Sequence, residues 1–322
     1  MPLKVSTEDF VRAWEAHGSP VRVAEATGLP IRAVYGRASS LRKQGYRLET
    51  RPAPGYAGHA PYAGGGWTFP REKRLEIDTG SVVVFSDAHF QPGEPSTAHK
   101  ALLAVIAQVK PRVVIANGDI FDGGSIGRHP PFGWADRPTP VQELHACQER
   151  MGDIEQVAPR GCELVFTVGN HDVRWERTLA SQAEQFRDLF GMRLTHHFPA
   201  WELVWSAPIN WESRHPVMVK HRYASGIHSA YNNTQKGGVT MVTGHTHALE
   251  VKPIADYRGR RWGVQTGSLA DLDGPAFEYT ENSPSHACSG FAVLTFRDGQ
   301  LLPPELCEVI NGQAIFRGEV VA

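Results

Sequence analysis

Four short runs of β-branched and apolar residues in this chain each stop at a cluster of carboxylate, amide or imidazole side chains. Val82-Val83-Val84-Phe85 leads to Asp87-Ala88-His89, and Val113-Val114-Ile115-Ala116 leads to Asn117-Gly118-Asp119-Ile120-Phe121-Asp122. Leu164-Val165-Phe166 leads to Gly169-Asn170-His171-Asp172, and Val239-Thr240-Met241-Val242 leads to Gly244-His245-Thr246-His247. Runs this short and this β-branched read as buried strands, and the glycine or asparagine that stops them begins a loop. Sheets of α/β proteins carry their chemistry at such strand ends. The four ends are therefore expected to deliver carboxylates, an asparagine and imidazoles to one edge, a donor mixture that suits a metal ion. Asp119 reads as the centre of that site.

Between these runs the periodicity changes from two to about 3.6. Thr97 to Val109 is amphipathic, and so is Pro140 to Val157, with Val141, Leu144, Cys147, Met151 and Ile154 on one face. Helical crossovers of this kind fit parallel pairing of the strands they join. The stretch from His196 to His215, with Trp201, Trp205 and Trp211, alternates like a strand or hairpin. Further on, Gly263 to Thr266, Phe291 to Phe296 and Ala314 to Phe316 are strand-like, and Asp298-Gly299 and Asn311-Gly312 supply hairpin turns, so the chain is expected to end as an antiparallel meander. Together the segments predict an α/β fold with two packed sheets flanked by helices.

The chain has 322 residues, of which 41% are hydrophobic, and this length predicts two domains. From Ser6 to Gly45 the pattern is helical three times over, with Ser6 as a cap, Ser19-Pro20 as a second start, Gly28 as a stop and Pro30 opening the third segment. Residues 30 to 48 carry Arg32, Arg37, Arg42, Lys43 and Arg47 with no acidic residue. The layout from Val23 to Arg42 resembles bacterial and phage helix-turn-helix domains. That resemblance implies a partner, DNA, met by Arg32, Tyr35, Arg37, Arg42 and Lys43. Residues 50 to 70 are dense in Pro and Gly and read as a linker. The expected organisation is a small all-α domain over 1–49, a linker over 50–70 and the α/β domain over 71–322. The net charge of −1 names no partner by itself, and the four cysteines show no metal-site or redox spacing. No signal-peptide layout and no apolar run of membrane-spanning length is present, so a cytoplasmic protein without a membrane partner is expected.

Taken in order, D-x-H, G-D-x-x-D, G-N-H-D, an isolated His and G-H-T-H, followed by Gly267-Ser268-Leu269, resemble the motif set of the calcineurin-like metallophosphoesterases over residues 82 to 270. The resemblance implies the two-sheet αββα sandwich of that family and a centre of two divalent ions, manganese first, with iron, zinc or nickel as alternatives. By motif, Asp87, His89, Asp119 and His247 would hold one ion and Asp119, Asn170, His221 and His245 the other, with a hydroxide bridging the ions as nucleophile. His171 would then act as the acid or as a stabiliser of phosphoryl charge, with Asp122 orienting it. His221 is preferred to His228 as the isolated histidine because it directly ends the strand-like Val217 to Lys220 and leaves Ile227 to Lys236 free to form a helix. Gly123 after Asp122 and Asp172 after His171 depart from the protein serine/threonine phosphatases of the superfamily. The expected activity is a phosphodiesterase or nuclease acting on DNA. The alternatives are a phosphatase or cyclic-nucleotide phosphodiesterase with a regulatory N-terminal module, and a DNA-binding regulator.

Overall fold

The computed structural model describes residues 5–17, 19–48, 68–127, 137–257, 259–274, 277, 280 and 285–322. The chain divides into two compact units, Met1–Gly66 and Trp67–Ala322. Residues 49–67, which hold most of the stretch read as a linker, lie outside the described residues. The end of that stretch belongs to the larger unit, because Phe69 is fully buried with its ring edge-on to Trp205 at 5.6 Å. The boundary expected at residue 71 is therefore too late.

In the smaller unit, α1 (Thr7–His17), α2 (Pro20–Thr27) and α3 (Ile31–Lys43) follow the sequence signals closely. Asp9 N donates to Ser6 Oγ at 3.0 Å and Ser6 Oγ donates to Asp9 Oδ2 at 2.6 Å, which caps α1. Gly28 ends α2 in the left-handed region at φ 68°. Phe10, Trp14, Val23, Val34, Ala38, Leu41 and Leu48 close a small core between the three helices.

The larger unit runs β1 (Gly80–Phe85), α4 (Thr97–Val109), β2 (Val113–Ala116), α5 (Pro140–Val157), β3 (Glu163–Thr167), α6 (Val173–Gln182), β4 (Glu202–Val204), β5 (Ala207–Ile209), β6 (Val217–Val219), α7 (Ser229–Gly237), β7 (Thr240–Thr243), β8 (Leu249–Asp256), β9 (Gly259–Thr266), β10 (Gly290–Arg297), β11 (Gln300–Leu301), β12 (Glu305–Ile310), β13 (Gln313–Phe316) and β14 (Glu319–Val320). One sheet has the order β14-β13-β12-β10-β1-β2-β3-β4, with β11 on β10; the other has the order β5-β6-β7-β9-β8. β1, β2, β3 and β4 pair in parallel, as do β6, β7 and β9.

Strand alternation builds the layers. Val83, Phe85, Val114, Ala116 and Phe166 meet Leu102, Val105, Cys147, Met151 and Ile154 of α4 and α5 on the outer face of the first sheet. Val82, Val84, Val113, Ile115 and Val165 face Ile209, Val217, Val219, Val242 and Val264 of the second sheet. Strands buried on both faces need an unbroken apolar run, and that is why these segments are so legible. α7 covers the far side of the second sheet against β7 and β9. The result is the expected αββα sandwich.

Two segments depart from the reading. His196 to His215 is not a hairpin: β4 pairs with β3 in the first sheet, whereas β5 pairs with β6 in the second. The alternation was real, but alternate residues cannot say which sheet a three-residue strand joins. β8 escaped the pattern because Pro253 and three charged residues interrupt it, and it is tolerated as an edge strand that pairs only with β9.

Candidate metal centre

The motif residues lie at the C-terminal ends of β1, β2, β3, β6 and β7, so three loops of one sheet meet two of the other. Asp87, His89, Asp119, His245 and His247 all hold left-handed backbones, with φ of 51°, 41°, 52°, 71° and 58°. Non-glycine residues rarely adopt this conformation and persist there where a surrounding structure imposes it, most often at functional sites. The glycines of the motifs make the convergence possible. A Cβ on Gly118 would lie 2.5 Å from the His221 imidazole, and one on Gly169 would lie 2.2 Å from Asp119 Oδ1. Each glycine thus leaves room for a side chain from a different loop.

Among the described residues, three groups of donors come within metal-binding reach of one another: Asp87, His89 and His247; His89, Asp119 and His171; Asp119, His221 and His245. His228, by contrast, is exposed at the start of α7, and His221 is the histidine brought into the cluster. His221 Nδ1 bonds Asn117 O at 2.7 Å and His89 Nδ1 bonds Asp122 Oδ1 at 3.1 Å. In both rings the other nitrogen is thereby directed at the centre. His89 Nε2, His221 Nε2 and Asn170 Oδ1 are buried without a hydrogen-bond partner. His221 Nε2 comes within 3.1 Å of Asp119 Oδ2 but lacks hydrogen-bond alignment. Buried polar atoms are almost always satisfied, and a ligating histidine characteristically has its far nitrogen tied to a carboxylate or carbonyl. The donor set therefore fits divalent metal ions.

Charge in the centre is strongly coupled. Burial disfavours ionised Asp87 and Asp119, but His221 and the neighbouring imidazoles hold both carboxyls well below the usual carboxylate range. Burial likewise pulls His221 down, and Asp119 and Asp87 more than reverse it, lifting its pKa to about 9. Burial and then the His221 charge keep His245 below its ordinary value. A carboxylate pair of this kind calls for compensating positive charge at the same spot.

Around the donors lies a second layer that the sequence reading saw only in part. Asp122 Oδ1 meets His171 Nδ1 at 2.9 Å as well as His89 Nδ1, so one carboxylate orients two imidazoles. In sequence, Asp172 stands out only as a departure from the protein serine/threonine phosphatases. Its carboxylate accepts from the backbone N–H groups of Asp119, Ile120, Phe121 and Gly169 at 2.7–3.0 Å, which fastens the loop after β3 to the loop after β2. Arg174, also unforeseen, donates from Nη1 to Asp122 O at 2.8 Å and places Nη2 3.0 Å from His171 Nε2. Its only sequence signal was its position in the first turn of the helix that follows G-N-H-D. Glu143 of α5 accepts from Gly123 N at 2.8 Å beneath the same loop.

In the smaller unit the residues expected to meet DNA behave unequally. Tyr35 is 58% exposed and Lys43 is exposed, whereas the side chain of Arg32 lies outside what is described. Arg37 donates to Val5 O at 2.8 Å and lies 5.0 Å from the Phe10 ring centroid; Arg42 donates to Leu48 O at 2.7 Å and lies 5.2 Å from that of Trp14. Both arginines thus have a packing role within the bundle, which charge counting could not reveal. No described helix is long and apolar enough to cross a membrane.

The family model for calcineurin-like phosphoesterases matches residues 80–249. Gene 54 protein of Mycobacterium phage D29 is 27% identical over 270 residues, covering 74% of this chain and 97% of its own length, and Gene 54 protein of Mycobacterium phage L5 matches with the same identity and coverage. Among solved structures, Vps29 of Entamoeba histolytica, complexed with Zn²⁺, is similar at 14% identity and a TM-score of 0.41, covering 75% of this chain and 99% of that one.

Proposed function

Because the chain belongs to the calcineurin-like phosphoesterase family, whose members are metal-dependent phosphoester hydrolases, we propose that it is a phosphodiesterase that cleaves DNA at a centre of two divalent ions. The observation that carries the catalytic part is the convergence of Asp87, His89, Asp119, His245 and His247, all on left-handed backbones, with His221 around unpartnered buried donor atoms. Asp87, His89 and His247 would hold one ion and Asn170, His221 and His245 the other, with Asp119 shared; manganese is the first candidate. Ions bound there would activate water and neutralise phosphoryl charge.

The chain's own residues do the rest. Asp122 and Asp119 draw a proton onto His171 and outweigh the burial that opposes it, so its pKa stands above the ordinary value. Arg174 works the other way: as a permanent donor 3.0 Å from Nε2, it repels a proton on that nitrogen and favours its transfer to a leaving oxygen. The DNA assignment rests on the smaller unit, where α2, the Gly28 turn and the acid-free α3 follow the helix-turn-helix layout, with Tyr35, Lys43 and Arg32 as the residues to meet DNA.

Rates on bis(4-nitrophenyl) phosphate, 4-nitrophenyl phosphate and single- and double-stranded DNA with added manganese test this reading. We expect the diester and DNA to be hydrolysed well ahead of the monoester. Deletion of residues 1–66 should spare the small diester and weaken DNA cleavage. A strong preference for the monoester, or DNA left intact while small diesters are consumed, would contradict it.

A further inference from the structure

A cleft of about 990 Å³ opens beside the centre, with Asn170 and His221 on its wall. Its volume sits at the upper end of what small-molecule sites occupy. The charges along it are one-sided. Arg174 and Arg177 come from α6, and Lys220 and Arg222 flank His221 after β6; the acid on the lining, Glu72, is paired with Arg74 at 2.8 Å. Arg174 is committed to Asp122 and His171. Arg177, Lys220 and Arg222 make no ion pair with any carboxylate among the described residues; Lys220 only rests 5.4 Å from the Tyr223 ring centroid.

Three cations without acidic partners, lining one cleft, suit a ligand that carries several negative charges. One scissile phosphate at the metal centre does not supply those charges. The lining also carries the apolar side chains of Ile126 and Val173 and one aromatic ring, Trp205, among polar neighbours such as Thr178 and Ser206. A cationic groove with an aromatic ring is how proteins hold a single nucleic-acid strand, with phosphates on the charges and a base on the ring.

We infer that Arg177, Lys220 and Arg222 bind the phosphates next to the scissile one, which makes a single-stranded polynucleotide the substrate this cleft selects. This rests on the phosphodiesterase reading above and adds a specificity-determining role for residues that touch no donor of the metal centre except through the chain at His221. A nucleoside polyphosphate presents a similar run of charge over a shorter length, and the experiment separates it from a strand.

The test compares full-length wild type with the Arg177→Ala/Arg222→Ala and Arg177→Lys/Arg222→Lys variants, each checked for wild-type metal content. KM is measured across a salt series for a single-stranded 20-mer, the matching duplex, adenosine triphosphate and bis(4-nitrophenyl) phosphate. For the single strand, the alanine variant should raise KM on the order of tenfold at low salt and flatten the log–log salt slope by about 1.4, with kcat little changed. The lysine variant should restore most of both effects, and the singly charged diester should respond far less than the strand. An unchanged KM and slope for the single strand, in a wild type that does cleave DNA, would overturn the inference alone. An equal effect on the duplex would overturn the single-strand assignment, and an effect seen only with the triphosphate would replace the strand with a nucleotide. Failure of the wild type to cleave either DNA would instead remove the reading beneath it.

Discussion

At His171 the neighbours oppose one another: two carboxylates attract its proton and Arg174 repels it, while Nδ1 is fixed on Asp122. The same imidazole lies within reach of Asp119 and His89 as a potential donor. Its Nε2 is 3.9 Å from Asp119 Oδ2, and Arg174 occupies part of the space that an ion bound by that nitrogen would need. His171 is therefore proposed as an acid–base group and not as a metal ligand. His171→Ala should retain wild-type metal content and lower kcat by ~10²–10⁴-fold, the usual cost of losing an acid–base group. A variant that loses metal would make His171 a ligand instead.

Among the elements, α5 and the loops after β2 and β3 act as one supporting unit, and its acid–base behaviour is testable. Burial, and after it the Asp122 charge, pushes the Glu143 carboxyl from an ordinary 4.5 to about 7, although Gly123 N–H bonds it. A carboxyl raised on folding contributes stability that is full below about pH 4.5 and is lost as pH climbs through 7. Glu143→Gln keeps an acceptor for Gly123 and removes that titration. The variant should gain stability relative to wild type between pH 5 and pH 8, by on the order of 3 kcal/mol, read as a widening difference in Tm. A difference that stays flat or narrows would contradict the assignment.

The same elements show what could be read beforehand. α4 and α5 carry strong start signals and apolar stripes, and the strands that precede the motifs are buried on both faces, so their boundaries and the polar clusters that follow them were visible in residue order alone. His221 was legible for the same reason, since a strand ends beside it. Arg174 and Glu143 were not: each acts through a contact across elements, with Asp122 and Gly123 respectively, and a charged residue in a helix has no local mark of such a partner. The split of β4 and β5 between sheets and the bonds of Arg37 and Arg42 to backbone carbonyls are tertiary choices of the same kind.

For the whole molecule, the sandwich exists at this site as a frame that brings loops of two sheets together, and Asp119 stands where they meet. Its Oδ1 accepts from His171 N at 2.8 Å, its Oδ2 faces His221, and its backbone N–H is held by Asp172. The central claim is that this carboxylate serves two ions at once. Metal content after dialysis, measured by elemental analysis on wild type and Asp119→Asn with folding checked by circular dichroism, tests it most directly. Two equivalents of divalent metal are expected in wild type, and a folded variant that retains neither tightly and has lost activity. A folded variant that keeps both equivalents would contradict it.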